Sequence, residues 1–259
     1  MNEDQASALE AYEAYAEIYD DFHHRNDYEQ WIGEFLLPKF LGYGLKGPGL
    51  ALDIACGTGR AFAPLLKRGW EIWGCDVSPS MVEIARRNYG DRVRLSVADM
   101  RRLPTLGKFD LVLIMNDAVN HLLTEDDLRQ TMAGIAANLQ PDGFAIFDCN
   151  TKGLFDKVFD ASTSHTVERG GRRWTWQGLG WSDSSERTCR VRISGDSIDP
   201  ILIAERYFSQ REVEEALTAN GLVCRAVLGQ RESDGSVLLS ERPDEERDEK
   251  MIYLTSHKE

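Results

Sequence analysis

The chain has 259 residues, 42% of them hydrophobic, which is enough for one well-buried core in a single large domain or two small ones. Its formal net charge of −13 argues against a nucleic-acid partner, because binding of DNA or RNA depends on phosphate neutralisation by lysine and arginine. No apolar run approaches the ~20 residues needed to cross a bilayer, and the acidic N-terminus lacks a signal-peptide layout, so we expect a cytoplasmic protein without membrane contact.

The first predicted element is a helix from Glu3 to about His24, in a stretch rich in alanine and glutamate. Its aromatic side chains are three or four residues apart and therefore share one face: Tyr12, Tyr15, Tyr19 and Phe22. Such a stripe is typical of a helix that packs on a core. A second helix is predicted to end near Phe40, before a segment rich in glycine and proline.

Strands and helices alternate between Leu50 and Asn150. The predicted strands are Leu50–Ile54, Trp70–Cys75, Val93–Ala98, Phe109–Met115 and Gly143–Cys149. The predicted helices are Arg60–Lys67, Pro79–Asn88 and Glu125–Leu139, with Ser78 and Thr124 as N-caps of the last two. A turn is predicted at 140–143. This alternation predicts an α/β fold, in which helices cover both faces of a mostly parallel sheet.

The rhythm breaks after Asn150, where Gly170-Gly171 predicts the turn of an inserted antiparallel hairpin. The α/β pattern then resumes with a helix at Gln210–Ala219, which Ser209 caps. Two more strands, Leu222–Leu228 and Met251–Ser256, bring the predicted sheet to seven strands. The charged residues 241–250 between them predict a solvated loop. We expect a single domain with four parts: a helical cap (1–45), a core (46–150), the insert (151–208) and the end of the core (209–259).

The segment from Leu50 to Arg60 passes from an apolar strand through a turn of small residues toward a helix, with Pro64 in its first turn. Glycines let the backbone approach a ligand closely, and the free N–H groups of a helix start favour acceptor groups. A nicotinamide-type fingerprint would need a third glycine, but Phe62 stands at that position.

The pattern formed by Asp53, Ala55, Gly57, Thr58 and Gly59 resembles the first motif of the class I S-adenosylmethionine (SAM)-dependent methyltransferases. In that family the loop passes under the methionine part of SAM. Ala55 replaces the commoner glycine, and we expect little effect because alanine is also small. A generic Rossmann-like turn for another ligand remains the alternative at this point.

Residues at the ends of later strands extend the resemblance. Asp76 follows the glycines by about twenty residues, a spacing that suits a carboxylate on both ribose hydroxyls. The resemblance implies that Met81 lies against the adenine, that Asp99 and the N–H of Met100 bind the adenine edge, and that Asn116 holds the methionine amino group. The full set of implied SAM contacts is Tyr15, Tyr19, Trp31, Ala55, Gly57, Thr58, Gly59, Asp76, Val77, Met81, Asp99, Met100 and Asn116.

The outer parts of the chain are similar to one branch of that family, the N-methyltransferases of amino sugars and antibiotic precursors. The similarity rests on a Y-x-x-x-Y-D element at residues 15–20, a D-Y-x-x-W element at residues 27–31 and the antiparallel insert. It implies a Rossmann-like, seven-stranded sheet with an N-terminal helical cap that folds over SAM, so the tyrosine stripe has two interpretations, core packing or cofactor contact. The insert would cover the substrate.

The resemblance implies methyl transfer from SAM to a small-molecule substrate, with an amine nitrogen preferred over a hydroxyl or carboxyl oxygen. His121 is our candidate base, with a surface or capping histidine as the alternative, and Tyr19 would orient the nucleophile or face the sulfonium. Two other classes stay open, an oxidoreductase with a nucleotide cofactor and a SAM-binding module without catalysis.

We expect no metal, because the five cysteines are scattered and the adjacent His23 and His24 point to different helix faces. The insert is locally basic: Arg169, Arg172, Arg173, Arg187, Arg190 and Arg192 outnumber Glu168, Asp183 and Glu186. Three interpretations are open, namely a site for an anionic substrate, a homodimer contact and cross-strand charge pairs.

Overall fold

Five parallel strands form the centre of the molecule in a computed structural model that describes residues 3–183, 187–233 and 236–258. These strands are β1 (Leu50–Ile54), β2 (Glu71–Asp76), β3 (Val93–Val97), β4 (Phe109–Ile114) and β5 (Leu139–Asn150). They lie in the order β3-β2-β1-β4-β5, so β1 and β4 are central. The side chains of β1 and β4 are almost fully buried, as expected for strands in the middle of a sheet that helices cover on both faces.

Three further strands complete this sheet: β10 (Leu222–Ser233), β11 (Ser236–Ser240) and β12 (Lys250–His257). β12 pairs antiparallel with both β5 and β10, and β11 pairs antiparallel with β10. The sheet therefore has eight strands, and the predicted number of seven is wrong. The extra strand, β11, escaped prediction because its apolar run is only three residues long and the end of β10 that pairs with it is polar.

The helices are α1 (Glu3–Phe22), a π-helix (Glu29–Leu36) that continues as α2 (Leu37–Leu41), α3 (Ala63–Lys67), α4 (Pro79–Tyr89), α5 (Glu125–Asn138), α6 (Lys152–Val158) and α7 (Gln210–Ala219). The caps at Ser78, Thr124 and Ser209 are confirmed, since each side chain accepts a backbone N–H from the first turn. Within the described residues, no helix combines the length and apolar character required to cross a membrane.

Two local predictions were wrong. α3 starts at Ala63 rather than Arg60, because the glycine turn continues through the intervening residues; Pro64 does lie in its first turn. β5 starts at Leu139, and the turn predicted at 140–143 is instead an irregularity in the pairing between β4 and β5. The helix α6 was not predicted.

The insert is a separate antiparallel sheet of four strands: β6 (Ser164–Arg169), β7 (Arg172–Asp183), β8 (Thr188–Gly195) and β9 (Ile198–Arg206). Gly170 (φ +59°) and Gly171 (φ +77°) form the predicted two-residue turn between β6 and β7. One apolar cluster joins this sheet to α1, and it includes Tyr15, Ile18, Phe22, Trp174, Val191 and Ile203. The insert and α1 together therefore form a roof above the carboxyl edge of the main sheet.

Candidate active site

A cavity of about 650 Å³ lies between the carboxyl ends of the parallel strands, α1 and the insert. Its lining includes eleven of the predicted site residues: Tyr15, Tyr19, Ala55, Gly57, Asp76, Val77, Met81, Asp99, Met100, Asn116 and His121. Residues from five separate segments thus meet in one cavity, which is where ligands bind in open α/β sheets.

Three of the predicted site residues, Trp31, Thr58 and Gly59, are not among the described residues that line the cavity. The hydroxyl of Thr58 donates a hydrogen bond to Asp20 of α1 (2.7 Å). Gly59 packs against Phe62, as a Cβ on it would come within 2.5 Å of that ring. The Trp31 indole N–H donates to Gln230 (2.5 Å). Their assigned roles in binding SAM stay predictions.

The glycine turn and Asp76 form one unit. The Asp76 carboxylate accepts the backbone N–H of Gly57 (2.8 Å) and that of Ser78 (2.9 Å). Burial raises the pKa of Asp76, and these backbone hydrogen bonds oppose the rise. A Cβ placed on Gly57 would meet no protein atom within 4 Å, so the turn leaves open space for a ligand beside the carboxylate.

Asp99 begins the short 3₁₀ turn Met100–Arg102 that follows β3. Its carboxylate accepts two hydrogen bonds from the Arg101 guanidinium, Nε–H at 2.9 Å and Nη2–H at 2.6 Å. Burial alone would raise the pKa of Asp99, but the hydrogen bonds from Arg101 lower it below the ordinary value. Asp99 therefore presents an ionised acceptor to the cavity.

Polar contacts hold α1 over the cavity. Glu13 accepts hydrogen bonds from the hydroxyls of Ser78 (2.5 Å) and Ser80 (2.6 Å) at the start of α4. At the other end of α1, Asp21 forms ion pairs with Arg169 (2.9 Å) and Arg172 (3.2 Å) of the hairpin. The helical cap is thus bound to both the main sheet and the insert.

Asn116 and Asp117 follow β4 with φ angles of +65° and +56°, a conformation that non-glycine residues rarely adopt. The Asn116 amide donates to the hydroxyl of Tyr19 (3.2 Å), so two predicted site residues are in direct contact. The Asp117 carboxylate accepts from the Lys250 ammonium (2.8 Å), which also donates to Asp148 (2.5 Å). Strained backbone held by such a network is frequent at functional sites.

His121 lies at the end of a 3₁₀ turn, Ala118–His121, and forms a pair with Tyr12. The Tyr12 hydroxyl lies 2.6 Å from Nε2 of His121, and Nδ1 lies 3.4 Å from the carbonyl oxygen of Ala204. If Nδ1–H donates to Ala204, Nε2 accepts the Tyr12 hydroxyl proton. Burial lowers the pKa of His121, so the ring is neutral at pH 7. Sequence reasoning placed Tyr12 in the aromatic stripe but assigned it no role.

Sequence reasoning also missed two groups that line the cavity, Glu205 on β9 and Asn150 at the end of β5. Residues of one strand alternate between faces, so Glu205 shares the inner face with Ile201 and Ile203. A carboxylate at a position where this pattern expects an apolar residue was the available signal.

Asp117, His121 and Glu205 have ligand-type atoms within 4.8 Å of one another, the grouping that a metal ion would need. Both ring nitrogens of His121 are engaged, with Tyr12 and Ala204, and Asp117 is paired with an ammonium. This arrangement suits proton transfer better than coordination.

Four of the basic residues of the insert form described ion pairs: Arg169, Arg172, Arg173 and Arg187. Arg173 pairs with Glu168, which lies directly opposite on β6 (2.6 Å). Arg187 pairs with Glu212 (2.6 Å). Glu186, which entered the charge comparison, lies outside the described residues. These contacts favour charge pairing over a site for an anionic substrate.

Proteins similar to this chain are named as methyltransferases. Residues 51–143 match a family model described as a methyltransferase domain. A protein of Geobacillus sp. (strain WCH70) that is named as a methyltransferase is 31% identical over 189 residues, 71% of this chain and 76% of the relative. A dTDP-4-amino-2,3,4,6-tetradeoxy-D-glucose N,N-dimethyltransferase of Saccharopolyspora spinosa is 27% identical over 206 residues. The alignment covers 79% of this chain and 80% of that relative.

Among solved structures, a SAM-dependent methyltransferase from Clostridium acetobutylicum superimposes with a TM-score of 0.76. The alignment covers 95% of this chain and 98% of the other at 23% identity, which shows a common fold. The fold and the site define a Rossmann-like methyltransferase. The chain belongs to the SAM-dependent methyltransferase family, and SAM is its cofactor. This membership sets aside the oxidoreductase alternative.

Proposed function

We propose that this methyltransferase transfers the methyl group of SAM to the amine nitrogen of a small molecule. The observation that carries the proposal is the pair formed by Tyr12 and His121, whose nitrogen can take a proton through the Tyr12 hydroxyl (2.6 Å). An amine is protonated in neutral water and must lose a proton before it can attack, so a neutral imidazole at this position is useful. The Saccharopolyspora relative is named as an N,N-dimethyltransferase.

The cavity lining supports this cofactor, because it includes ten of the thirteen predicted SAM contacts. Asp76 would accept the ribose hydroxyls and Asp99 the adenine amino group, since both are buried or half-buried carboxylates in the lining. Asn116 and Tyr19 would lie beside the methionine part, and Tyr15 would close the roof above it. SAM itself supplies a methyl group already activated by a positively charged sulfur.

The protein then has three tasks: it excludes water, aligns the acceptor opposite the sulfur, and removes a proton. The Tyr12 hydroxyl would accept the proton of the ammonium while its own proton passes to Nε2 of His121. The freed nitrogen lone pair forms the new bond to the methyl carbon, and the electrons of the broken carbon–sulfur bond remain on sulfur. Each residue assignment here goes beyond sequence similarity and rests on the contacts described above.

The proposal includes the domain division expected from the sequence, with a helical cap (1–45), a SAM-binding core (46–150), an insert that covers the substrate (151–208) and the end of the core (209–259). It also includes a cytoplasmic location and a reaction that needs no metal. The proposal includes no nucleic-acid partner, and nuclease treatment of the purified protein tests this. Gel filtration distinguishes a monomer from a homodimer.

Calorimetry with S-adenosylhomocysteine tests the cofactor site. We expect Asp76→Ala to weaken binding about 100-fold, because a buried acceptor is lost. The control is Asp142→Ala, which removes an exposed carboxylate paired with Lys46. Binding of NADH instead of S-adenosylhomocysteine would contradict the site as assigned.

Mass spectrometry of products then tests the acceptor atom. Matched amines and alcohols with the same carbon skeleton are incubated with SAM and the enzyme. We expect added methyl groups, one or two, on the amines. Methylation found only on alcohols or carboxylates would contradict the proposed N-methylation and identify an O-methyltransferase.

A further inference from the structure

Strands β8 and β9 of the insert form a wall of the cavity that is apolar except at one point. Val191 and Ile193 of β8 and Ile203 of β9 are buried and face the cavity. Glu205, two residues after Ile203, lines the same surface and is only 6% exposed. A single buried carboxylate in an apolar wall has to be stabilised by a partner.

The protein supplies only part of that stabilisation. Asn150 donates one hydrogen bond from its amide to the Glu205 carboxylate (3.1 Å). The amide oxygen of Asn150 is buried, in a residue that is 4% exposed, and it has no hydrogen-bond partner among the described residues. The Glu205 carboxylate therefore has one donor among the described residues, and the amide oxygen of Asn150 lacks the donor that a buried polar group normally has.

The charges around Glu205 indicate what kind of donor would fit. Asp117 and His121 each have a polar atom within 4.8 Å of Glu205, and the nearby Lys250 ammonium is bound to Asp117 and Asp148. Burial raises the pKa of Glu205 and Asp117 adds to the rise, whereas Lys250 and the hydrogen bond from Asn150 oppose it without cancelling it. A bound cation would favour the ionised carboxylate, whereas a neutral ligand would leave its desolvation uncompensated.

From this geometry we infer that Glu205, together with the amide oxygen of Asn150, binds the ammonium group of the methyl acceptor. The acceptor class is then an amine with a compact apolar skeleton that contacts Val191, Ile193 and Ile203. Glu205 is a specificity-determining residue that presents the ammonium near Tyr12 and His121 for loss of its proton. This inference rests on the proposed N-methylation and adds the residue that selects a cationic acceptor.

Selection against alcohols follows from the same contacts. A hydroxyl carries no positive charge, so it would leave Glu205 with only Lys250 as a described counter-charge, and Lys250 is already bound to Asp117 and Asp148. Sites built around buried polar groups discriminate strongly against ligands that leave those groups unpaired. The carboxylate thus explains a preference for nitrogen that the proton-accepting pair alone does not.

Calorimetry of the full-length protein saturated with S-adenosylhomocysteine tests this inference. Cyclohexylammonium is the cationic probe, and cyclohexanol is the neutral probe of similar size. We expect the wild-type protein to bind cyclohexylammonium at least about ten-fold more tightly than cyclohexanol. We expect Glu205→Gln to lose that difference, because glutamine keeps the shape of the side chain and its contact with Asn150 but lacks the charge.

The matched control is Glu168→Gln, which removes an exposed carboxylate at the cavity mouth that is paired with Arg173. It should bind both probes as the wild type does. S-adenosylhomocysteine affinity reports that each variant is folded. Wild-type protein that does not bind cyclohexylammonium, or Glu205→Gln protein that binds it unchanged, would overturn the inference while the cofactor site stands. Binding that depends on Glu205 without any N-methylated product would instead overturn the proposed function.

Discussion

The hydroxyl of Tyr12 lies 2.6 Å from Nε2 of His121, and 109 residues separate the two in the chain. Tyr12 belongs to α1 and His121 follows β4, so the pair joins the roof of the cavity to its floor. The pair that we propose to accept the proton is therefore complete only when α1 is docked. In the proposed mechanism, undocking of α1 would open the cavity and separate Tyr12 from His121 at the same time.

Removal of the base should slow turnover without weakening cofactor binding. We expect His121→Ala to lower kcat about 100-fold, in the range usual for general bases, and Tyr12→Phe to lower it less. Because the two act as one unit, the double variant should be little worse than His121→Ala. Steady-state rates give kcat, and calorimetry with S-adenosylhomocysteine serves as the control. Fully additive losses would show that the two residues act separately.

Two glycines of the same turn should fail in different ways. Gly57 has φ +52° and open space beyond it, so Gly57→Ala should cost about 1 kcal/mol of stability and block the cofactor. Gly59 has φ +92°, and its Cβ would lie 2.5 Å from the rings of Phe62 and Tyr89. We expect Gly59→Ala to cost about 3 kcal/mol. Thermal unfolding and cofactor calorimetry measure the two losses, and equal stability of the variants would contradict this account.

The folded protein should become less stable as the pH is lowered, partly because of His23. Burial lowers the pKa of His23 from 6.5 to about 4, and its ring bonds the hydroxyl of Tyr15 (2.9 Å). Between these pH values the unfolded chain binds a proton that the folded chain does not, so stability is lost as pH falls through this window. Denaturant unfolding at pH 7 and pH 4 measures this loss. The difference in the free energy of unfolding between the two pH values should be about 2 kcal/mol smaller in His23→Gln than in the wild type. A parallel pH profile in the variant would refute the assignment.

Arg173 should have little influence on substrate affinity. Its ion pair with Glu168 is solvent-exposed, with side-chain exposures of 67% and 63%, and such pairs contribute about 1 kcal/mol or less. We expect KM for the acceptor to change by less than about two-fold in Arg173→Ala. Arg101→Ala is the informative comparison, since Arg101 holds Asp99 in the cavity and its loss should weaken cofactor binding. A large rise in KM for Arg173→Ala would revive the anionic-substrate interpretation.

Chelation should leave the reaction unchanged. Asp117, His121 and Glu205 are residue types that bind metal ions. However, both nitrogens of His121 lie within hydrogen-bonding distance of other groups, and Asp117 forms an ion pair with Lys250. Activity should therefore be the same before and after dialysis against EDTA. Loss of activity that manganese or magnesium restores would show that this cluster holds a catalytic ion.

The core of the fold was predictable because its signals are local. Alternating apolar runs, caps and glycine turns are written in short segments, as at Ser78 and in the turn Gly170-Gly171. The eighth strand was not predictable in this way, since the apolar run of β11 is only three residues long and the strand is held by pairing with β10. The pairing partner of a short edge strand is a tertiary property.

The candidate site divides along the same line. Asp76 and Asp99 could be anticipated because they end successive strands of a parallel sheet, and sheet topology places strand ends together. Tyr12, Asn150 and Glu205 could not, because their meeting depends on how α1 and the insert dock over that edge. A sequence motif predicted that Trp31 contacts SAM, but the indole N–H donates to Gln230 and Trp31 is not among the described lining residues, so its role stays a prediction.

The shared packing of α1 and the insert sheet has a practical consequence for shortened forms of the protein. The apolar face of that sheet, with Val191 and Ile203, is covered by Tyr15 and Phe22 of α1. A truncated protein that starts at β1 would keep the parallel sheet but leave this face uncovered in water. Such a large exposed apolar surface promotes aggregation. The first helix therefore matters for solubility as much as for the cavity that it closes.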